Sequence, residues 1–182
     1  MQQKFTIRLA TPADAAAAID FKEHCWRWAY ADIFPPEVFE TVYGAESKSG
    51  IVSYWEQLIA GGAKVWLAEL AIESAGAVVA AAETPQDVEI IGIAMANPSR
   101  DADAPAEVEL SVLYVSKQHQ NSGVGTALLQ RALGDSPAML WMLQGNQRGQ
   151  RFYEAKGFRF DGGARKIFSS HGDFTELRML RQ

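Results

Sequence analysis

The sequence predicts an α/β protein built as a single mixed, mostly antiparallel sheet flanked by helices, within one domain over residues 1–182. Three observations predict it. Helix-like and strand-like segments alternate along the chain, with helices grouped near the front and a strand meander in the middle. No repeat, long linker or shift in composition divides the 182 residues, a length usual for one domain. Apolar residues make up 48% of the chain and aromatic residues 10%, which suffices to fill one core.

The elements follow in order. Phe5 to Leu9 alternates like a short strand. Thr11 and Pro12 open an alanine-rich helix, with Thr11 as N-cap and Pro12 in the first turn, running to about Tyr30. Pro35-Pro36 breaks the chain and starts a second helix, Glu37 to about Val42. A third covers roughly Ser49 to Ile59 and stops at Gly61-Gly62. Strand runs follow at Val65–Leu70, Val88–Met95 and Glu107–Val115, with an acidic turn region over 96–106. Residues 71–87 read as an insertion without an assigned element. A helix over Gly123–Leu133 is broken at Gly134 to Pro137, and strand Ala138–Leu143 leads into a helix at about Asn146–Lys156. Two closing strands, near Phe158–Phe168 and Phe174–Leu180, flank a turn at 169–172.

Charge narrows the function. The net charge is −5, which weighs against a nucleic-acid binder, since tracking phosphates needs a basic face. Residues 1–145 carry 9 basic and 18 acidic side chains, and residues 146–182 carry 8 and 4, so the parts are −9 and +4. An anionic ligand on the C-terminal part and a cationic one facing the rest suit this split; a solvated helix and hairpin would also produce it. The lone Cys25 rules out an intrachain disulfide and fits a reducing compartment. No apolar run resembles a signal peptide or approaches the ~20 residues of a membrane span, so a cytoplasmic protein with no membrane partner is expected. His24, His119 and His171 lack metal-ligand spacing, and no metal is expected. The sequence is silent on oligomeric state and leaves a homodimer open.

The most informative segment is Glu109 to Leu129. A strand ends at Val115, a short loop follows, and a helix begins at Gly123-Val-Gly125. A helix N-terminus offers unpaired N–H groups and the positive end of the dipole, which suits phosphate. Glycines there let the backbone approach an anion closely, and the Gln120 side-chain amide can donate to the same oxygens. A dinucleotide-binding Gly-x-Gly-x-x-Gly would need glycine at 128, which is Leu128. A Gly-Lys-Ser/Thr phosphate loop is absent.

At these residues the chain resembles the GNAT superfamily of N-acetyltransferases, whose Gln/Arg-x-x-Gly-x-Gly/Ala turn binds the pyrophosphate of coenzyme A. Asn146-x-x-Gly149-x-x-Phe152-Tyr153-x-x-x-Gly157-Phe158 looks like a second family segment, in the right order. The ending Leu-Arg-Met-Leu-Arg suits the last strand, and Trp26-x-x-Ala-Tyr30-x-x-x-x-Pro35 looks like a stretch found in many small-molecule members. The turn departs from the family at Lys117, where proline is frequent. The resemblance covers nearly the whole chain apart from 71–87. It implies a GNAT-like acyl-CoA N-acyltransferase fold with acetyl-CoA as co-substrate. It also implies a cofactor site drawn from Leu113, Tyr114, Val115, Gln120, Asn121, Ser122, Gly123, Val124, Gly125, Thr126, Asn146 and Tyr153. The implied reaction is acetyl transfer to a primary amine, favouring a small molecule, by direct attack in a ternary complex. A protein N-terminal or lysine acetyltransferase and a non-catalytic acyl-CoA sensor stay open as alternatives.

That chemistry needs a polarised carbonyl, a neutral amine and a protonated or stabilised thiolate. The resemblance assigns the first to a backbone N–H near Val112–Val115, which leaves no side-chain signature. Tyr153 is the candidate acid for the leaving sulfur, a phenol of pKa ≈ 10 that need only donate a hydrogen bond. Glu109 is the candidate base, directly or through water, eleven residues before Gln120, the spacing of the catalytic glutamate in the protein-lysine branch of the family. Glu107 is the fallback. Strand alternation puts Glu107, Glu109, Ser111 and Leu113 on one face. Asn146 either caps its helix or bonds the pantetheine arm. Trp28 and Tyr30, with Trp26, Glu23 and Asp32, either line the acceptor pocket beside Glu109 or belong to the core. Cys25 is expected to be a packed thiol.

Overall fold

In the computed structural model, which describes residues 4–72, 88–101, 103–168 and 170–182, seven strands form one sheet in the order β1-β2-β3-β4-β5-β7-β6. The strands are β1 Thr6–Leu9, β2 Val65–Ala71, β3 Val88–Pro98, β4 Val108–Val115, β5 Ala138–Leu143, β6 Arg159–Ile167 and β7 Phe174–Arg181. The helices are α1 Ala15–Tyr30, α2 Pro36–Tyr43, α3 Ala45–Ala60, α4 Val124–Leu133 and α5 Gln147–Ala155. Every strand pairing is antiparallel except β4 with β5, which is parallel. The mixed, mostly antiparallel sheet read from the sequence is therefore present. The proposed insertion lies, from residue 73 to 87, outside the described residues.

Two apolar layers cover the sheet. On one face Ile19 of α1 and Trp55 and Ile59 of α3 pack on Val65, Leu67, Ile93, Met95 and Val112. On the other, Val124 and Leu128 of α4 cover Ala68, Ile91 and Ala94, and Leu129 and Leu133 meet Leu140, Phe158 and Met179. The apolar stripe of α4 thus seats the helix on the sheet, fixing where its N-terminus points. At the front, Thr11 precedes a short 3-10 turn, Pro12–Asp14, that runs into α1. Asp14 accepts from the Thr11 N–H at 2.7 Å and from Arg8 at 2.8 Å. Arg8 also reaches Glu69 at 2.6 Å and so joins β1 to β2.

Two irregularities decide where a site can form. Opposite Met95 and Ala96 of β3, β4 presents Val112 and Leu110, so Ser111 is an extra residue bulged out of the ladder. The bulge flips the alternation. Leu110 and Leu113, three apart, both pack on the α4 side, while Val112 and partly buried Tyr114 face α1 and α3. The single face expected for Glu109, Ser111 and Leu113 is corrected accordingly, because a period of two does not survive an inserted residue. The second irregularity is that β4 and β5 pair only through Glu109 and Met139 among the described residues. Past that pair the two strands part.

Candidate active site

A cavity of about 1010 Å³ opens where β4 and β5 diverge. Leu110, Ser111, Leu113, Tyr114 and Val115 of β4 form one wall, and Trp141 and Met142 of β5 contribute to it as well. The start of α4 lies against it through Gly123, Gly125 and Thr126, with Gln120 and Asn121 from the preceding turn. Asn146, Phe152 and Tyr153 enter from α5 and its cap, and Cys25, Trp28 and Tyr30 from α1.

Its electrostatics oppose those of the whole chain. Lys117, Arg148, Arg151 and Lys156 line it, and no Asp or Glu is among the described residues that do. Arg148, Arg151, Phe152, Ala155 and Lys156 follow the i, i+3, i+4, i+7, i+8 spacing of one helical face. That pattern was available in the sequence. At the start of α4, Gly123 has φ 92° and Asn121 φ 62°, left-handed values suited to a glycine and tolerated by asparagine. The first intrahelical bond of the turn runs from Ala127 to the Gly123 carbonyl at 3.0 Å. The amides of Val124, Gly125 and Thr126 precede it and are the orphan donors of a helix start. Val124 turns its side chain into the core, so only its backbone belongs to the site. A Cβ on Gly123 would meet no atom within 4 Å, whereas one on Gly125 would sit 3.4 Å from Phe152 and 3.5 Å from Val115. Such a concave, amide-rich and cationic end fits a phosphorylated ligand.

The other expected cofactor residues are more occupied with the protein itself. Gln120 donates to the Val115 carbonyl at 3.4 Å and accepts from Arg148, so its amide is not aimed into open space. Ser122 donates to the His119 carbonyl at 2.5 Å. Asn146 caps α5, its Oδ1 accepting from the Gly149 N–H at 2.9 Å. A Cβ at 149 would come within 2.7 Å of that side chain, which explains the small residue there. Asn146, Tyr30 and Tyr114 line the same cavity.

Tyr153 lines the cavity and packs edge-on against Phe152 and Phe158. Burial pushes its phenol, like that of Tyr114, above the ordinary value, so Tyr153 keeps its proton at neutral pH. Glu109 is only 3% exposed and does not line the cavity. Its Oε1 accepts from Arg100 at 3.0 Å, and the Arg100 side chain is 71% exposed. An arginine from the β3–β4 loop thus caps the carboxylate; Glu107, on the same loop, is exposed. The bulged Ser111 accepts from Asn97 at 2.9 Å and donates to the Met95 carbonyl at 3.2 Å. Asp101 of the same loop accepts from the Trp141 indole at 2.8 Å, beneath Arg165.

The aromatic helix separates into three roles. Trp26 is core, packed against Phe34, Phe39 and Tyr43 at 5.1 to 5.5 Å. Tyr30 lines the cavity and joins Trp26 and Phe34 edge-on. Trp28, expected beside Glu109, instead meets Lys117 and Arg148, whose charges lie 5.3 and 4.8 Å from its ring centre. It stands at the phosphate-loop end because residues two apart on a helix point to different sides. Glu23 is bound to Arg27 and Lys48, and Asp32 is exposed. Cys25 is a packed thiol, pushed up to about 12 by burial. Arg100, Arg148 and Ser111 carry no role in the sequence reading. A bulge and a loop contact leave no periodic trace.

Residues 61–160 match the acetyltransferase (GNAT) domain. A probable N-acetyltransferase of Mycobacterium tuberculosis is 30% identical over 159 residues, covering 86% of this chain and 80% of the relative. An uncharacterized N-acetyltransferase of Mycobacterium bovis is 33% identical over 102 residues, which is 52% of this chain and 63% of the relative. Among solved structures, PaiA N-acetyltransferase from Thermoplasma acidophilum in complex with coenzyme A aligns with a TM-score of 0.64 at 18% identity, covering 98% of this chain and 99% of the other. yncA from Salmonella typhimurium, solved with its cofactor acetyl-CoA, aligns at 0.61 and 19%, covering 98% and 94%. At such identities the structural likeness is one of fold.

Proposed function

The chain belongs to the GNAT family of acetyltransferases, and from that premise we propose that it moves the acetyl group of acetyl-CoA to a primary amine of a small molecule by direct attack in a ternary complex. One observation carries the reading. The cleft between β4 and β5 is lined by cations, with no acid among the described residues that line it, and runs to the amides at the start of α4. It is built for a long, anionic carrier with an apolar arm, and that describes coenzyme A.

When bound, the donor supplies an acetyl group activated as a thioester. The amides of Val124, Gly125 and Thr126 hold its phosphates, with Gln120, Asn121 and Ser122 shaping the turn. Leu113, Tyr114 and Val115, on the strand edge that β5 leaves free, flank the arm and offer a backbone N–H to the carbonyl oxygen. As the C–N bond forms and the C–S bond breaks, Glu109 takes the amine proton and Tyr153 donates to the departing sulfur. Because Glu109 lies behind Arg100 rather than in the cavity wall, the transfer to it runs through water. Tyr30, beside Tyr114 and Asn146 in the cavity lining, faces the acceptor.

The test is a panel of small primary amines, together with peptides bearing a free N-terminus or lysine. Each is mixed with acetyl-CoA and followed by free-thiol release and product mass. The reading expects turnover with at least one small amine. Turnover with peptides alone would move the acceptor to protein, and tight acetyl-CoA binding without any turnover would leave a sensor.

A further inference from the structure

We propose that Trp28 is a donor-specificity residue that holds Arg148 and Lys117 as a two-cation clamp on the phosphate groups of the carrier. This rests on the reading that the β4–β5 cleft takes acetyl-CoA. The clamp is assembled from three elements. Trp28 comes from α1, Lys117 from the turn after β4, and Arg148 from the first turn of α5. The ring centre lies 4.8 Å from the Arg148 guanidinium and 5.3 Å from the Lys117 ammonium. Arg148 also donates to Gln120 of the phosphate turn. All four side chains line the same cavity as Gly123 and Gly125.

Trp28 is shared by two cations that bind no carboxylate among the described residues, whereas Arg165 and Arg178, which share the Trp141 ring, are both ion-paired. Arg8, Arg27, Arg100, Arg165 and Arg178 are each bound to a carboxylate. Among the described residues, neither Arg148 nor Lys117 is, although acidic side chains outnumber basic ones by 22 to 17. Two like charges sharing one indole repel each other, and the ring's negative face offsets only part of that. An anion beside them removes the repulsion. A guanidinium held over a ring face keeps N–H groups available for contact with phosphate. The indole therefore orders both cations before the ligand arrives, which lowers the entropy lost on binding. The ligand chemistry that this recognises is a phosphorylated thioester carrier, in preference to the bare pantetheine thioester.

The experiment is calorimetric titration of wild type, Trp28→Ala, Trp28→Phe and Arg148→Gln with acetyl-CoA, and with S-acetylpantetheine by competition, alongside unliganded melting temperatures. Loss of the clamp should weaken acetyl-CoA binding about tenfold or more in Trp28→Ala and Arg148→Gln, the loss of one charge-assisted contact. Trp28→Phe, with a weaker π-face, should lose less. Affinity for S-acetylpantetheine should stay within about twofold. Equal losses for both ligands would make Trp28 a packing residue and overturn the clamp, as would unchanged acetyl-CoA affinity in the folded variants. If wild type bound neither ligand, the proposed function itself would fail.

Discussion

In the proposed reaction Tyr153 and Glu109 handle different protons, and their surroundings differ. The phenol is pushed up by burial and stays protonated, as a proposed donor to sulfur must. The carboxylate sits 3% exposed against Arg100 and does not line the cavity, so the proposed transfer to it runs through water. Tyr153→Phe should therefore lower kcat by about tenfold or more while acetyl-CoA affinity holds, because only the late transition state loses a donor. Glu109→Gln should depress the rate at neutral pH, because the amine loses its proton acceptor. Wild-type rates in both would leave catalysis to the backbone and a neutral acceptor. At this scale the sequence placed most donor-side residues at the cavity, since the glycine turn and the Asn146–Phe158 segment are local signals. It misplaced Trp28. Which side of α1 faces the phosphate turn depends on how α1 docks, and periodicity alone cannot fix that.

Between elements, the outcome turns on how α4 sits against β3 and how β4 leaves β5. At Gly92 of β3, α4 packs closely on the strand. A Cβ there would lie 2.7 Å from Leu128 Cδ1, 3.0 Å from Val124 Cγ1 and 3.3 Å from the Tyr114 carbonyl. Gly92→Val should cost roughly 1–3 kcal/mol by overpacking and should tilt the start of α4 away from its seat. Thermal melting and an acetyl-CoA titration on the same sample read both effects. Stability loss with unchanged affinity would mean the phosphate turn holds its shape without α4's packing. Nearly every element was legible, because their periodicities and breakers are strong. α3 begins at Ala45 rather than Ser49, since the chain passes from α2 to α3 through Gly44 alone and Ala45 and Glu46 are good helix formers. The Ser111 bulge was not legible. It is defined by the partner strand's register, which no stretch of β4 encodes by itself.

Across the whole molecule, distant parts of the chain enclose one cleft. Phe34, beyond α1, meets Phe168 and Phe174 of the C-terminal hairpin at 5.6 and 4.8 Å, tying the two together. Stability as a whole should carry the signature of Lys22. Burial pushes its ammonium down to about 8, with Tyr43 Oη at 2.8 Å as hydrogen-bond acceptor. In the unfolded chain the same amine titrates near 10.4. Between those values the unfolded state binds the extra proton, so this group adds stability as pH rises from about 8 to about 10.5. Cys25 and the buried phenols, pushed upward, act in the opposite sense at high pH. The Lys22→Met variant retains those groups, so the difference between wild type and Lys22→Met isolates the lysine. That difference should shift in favour of wild type across pH 8 to 10.5, and a flat difference would refute it. The proposed function requires that the β4–β5 cleft and the α4 start bind acetyl-CoA. Calorimetric titration of acetyl-CoA into wild type and Gly125→Asp decides whether they do. The aspartate brings a like charge to the phosphate seat and crowds Phe152 and Val115, neighbours of a Cβ at 3.4 and 3.5 Å. Saturable one-site binding in wild type, nearly abolished in a variant that melts as a folded protein, is the predicted result; equal affinity in the two would contradict it.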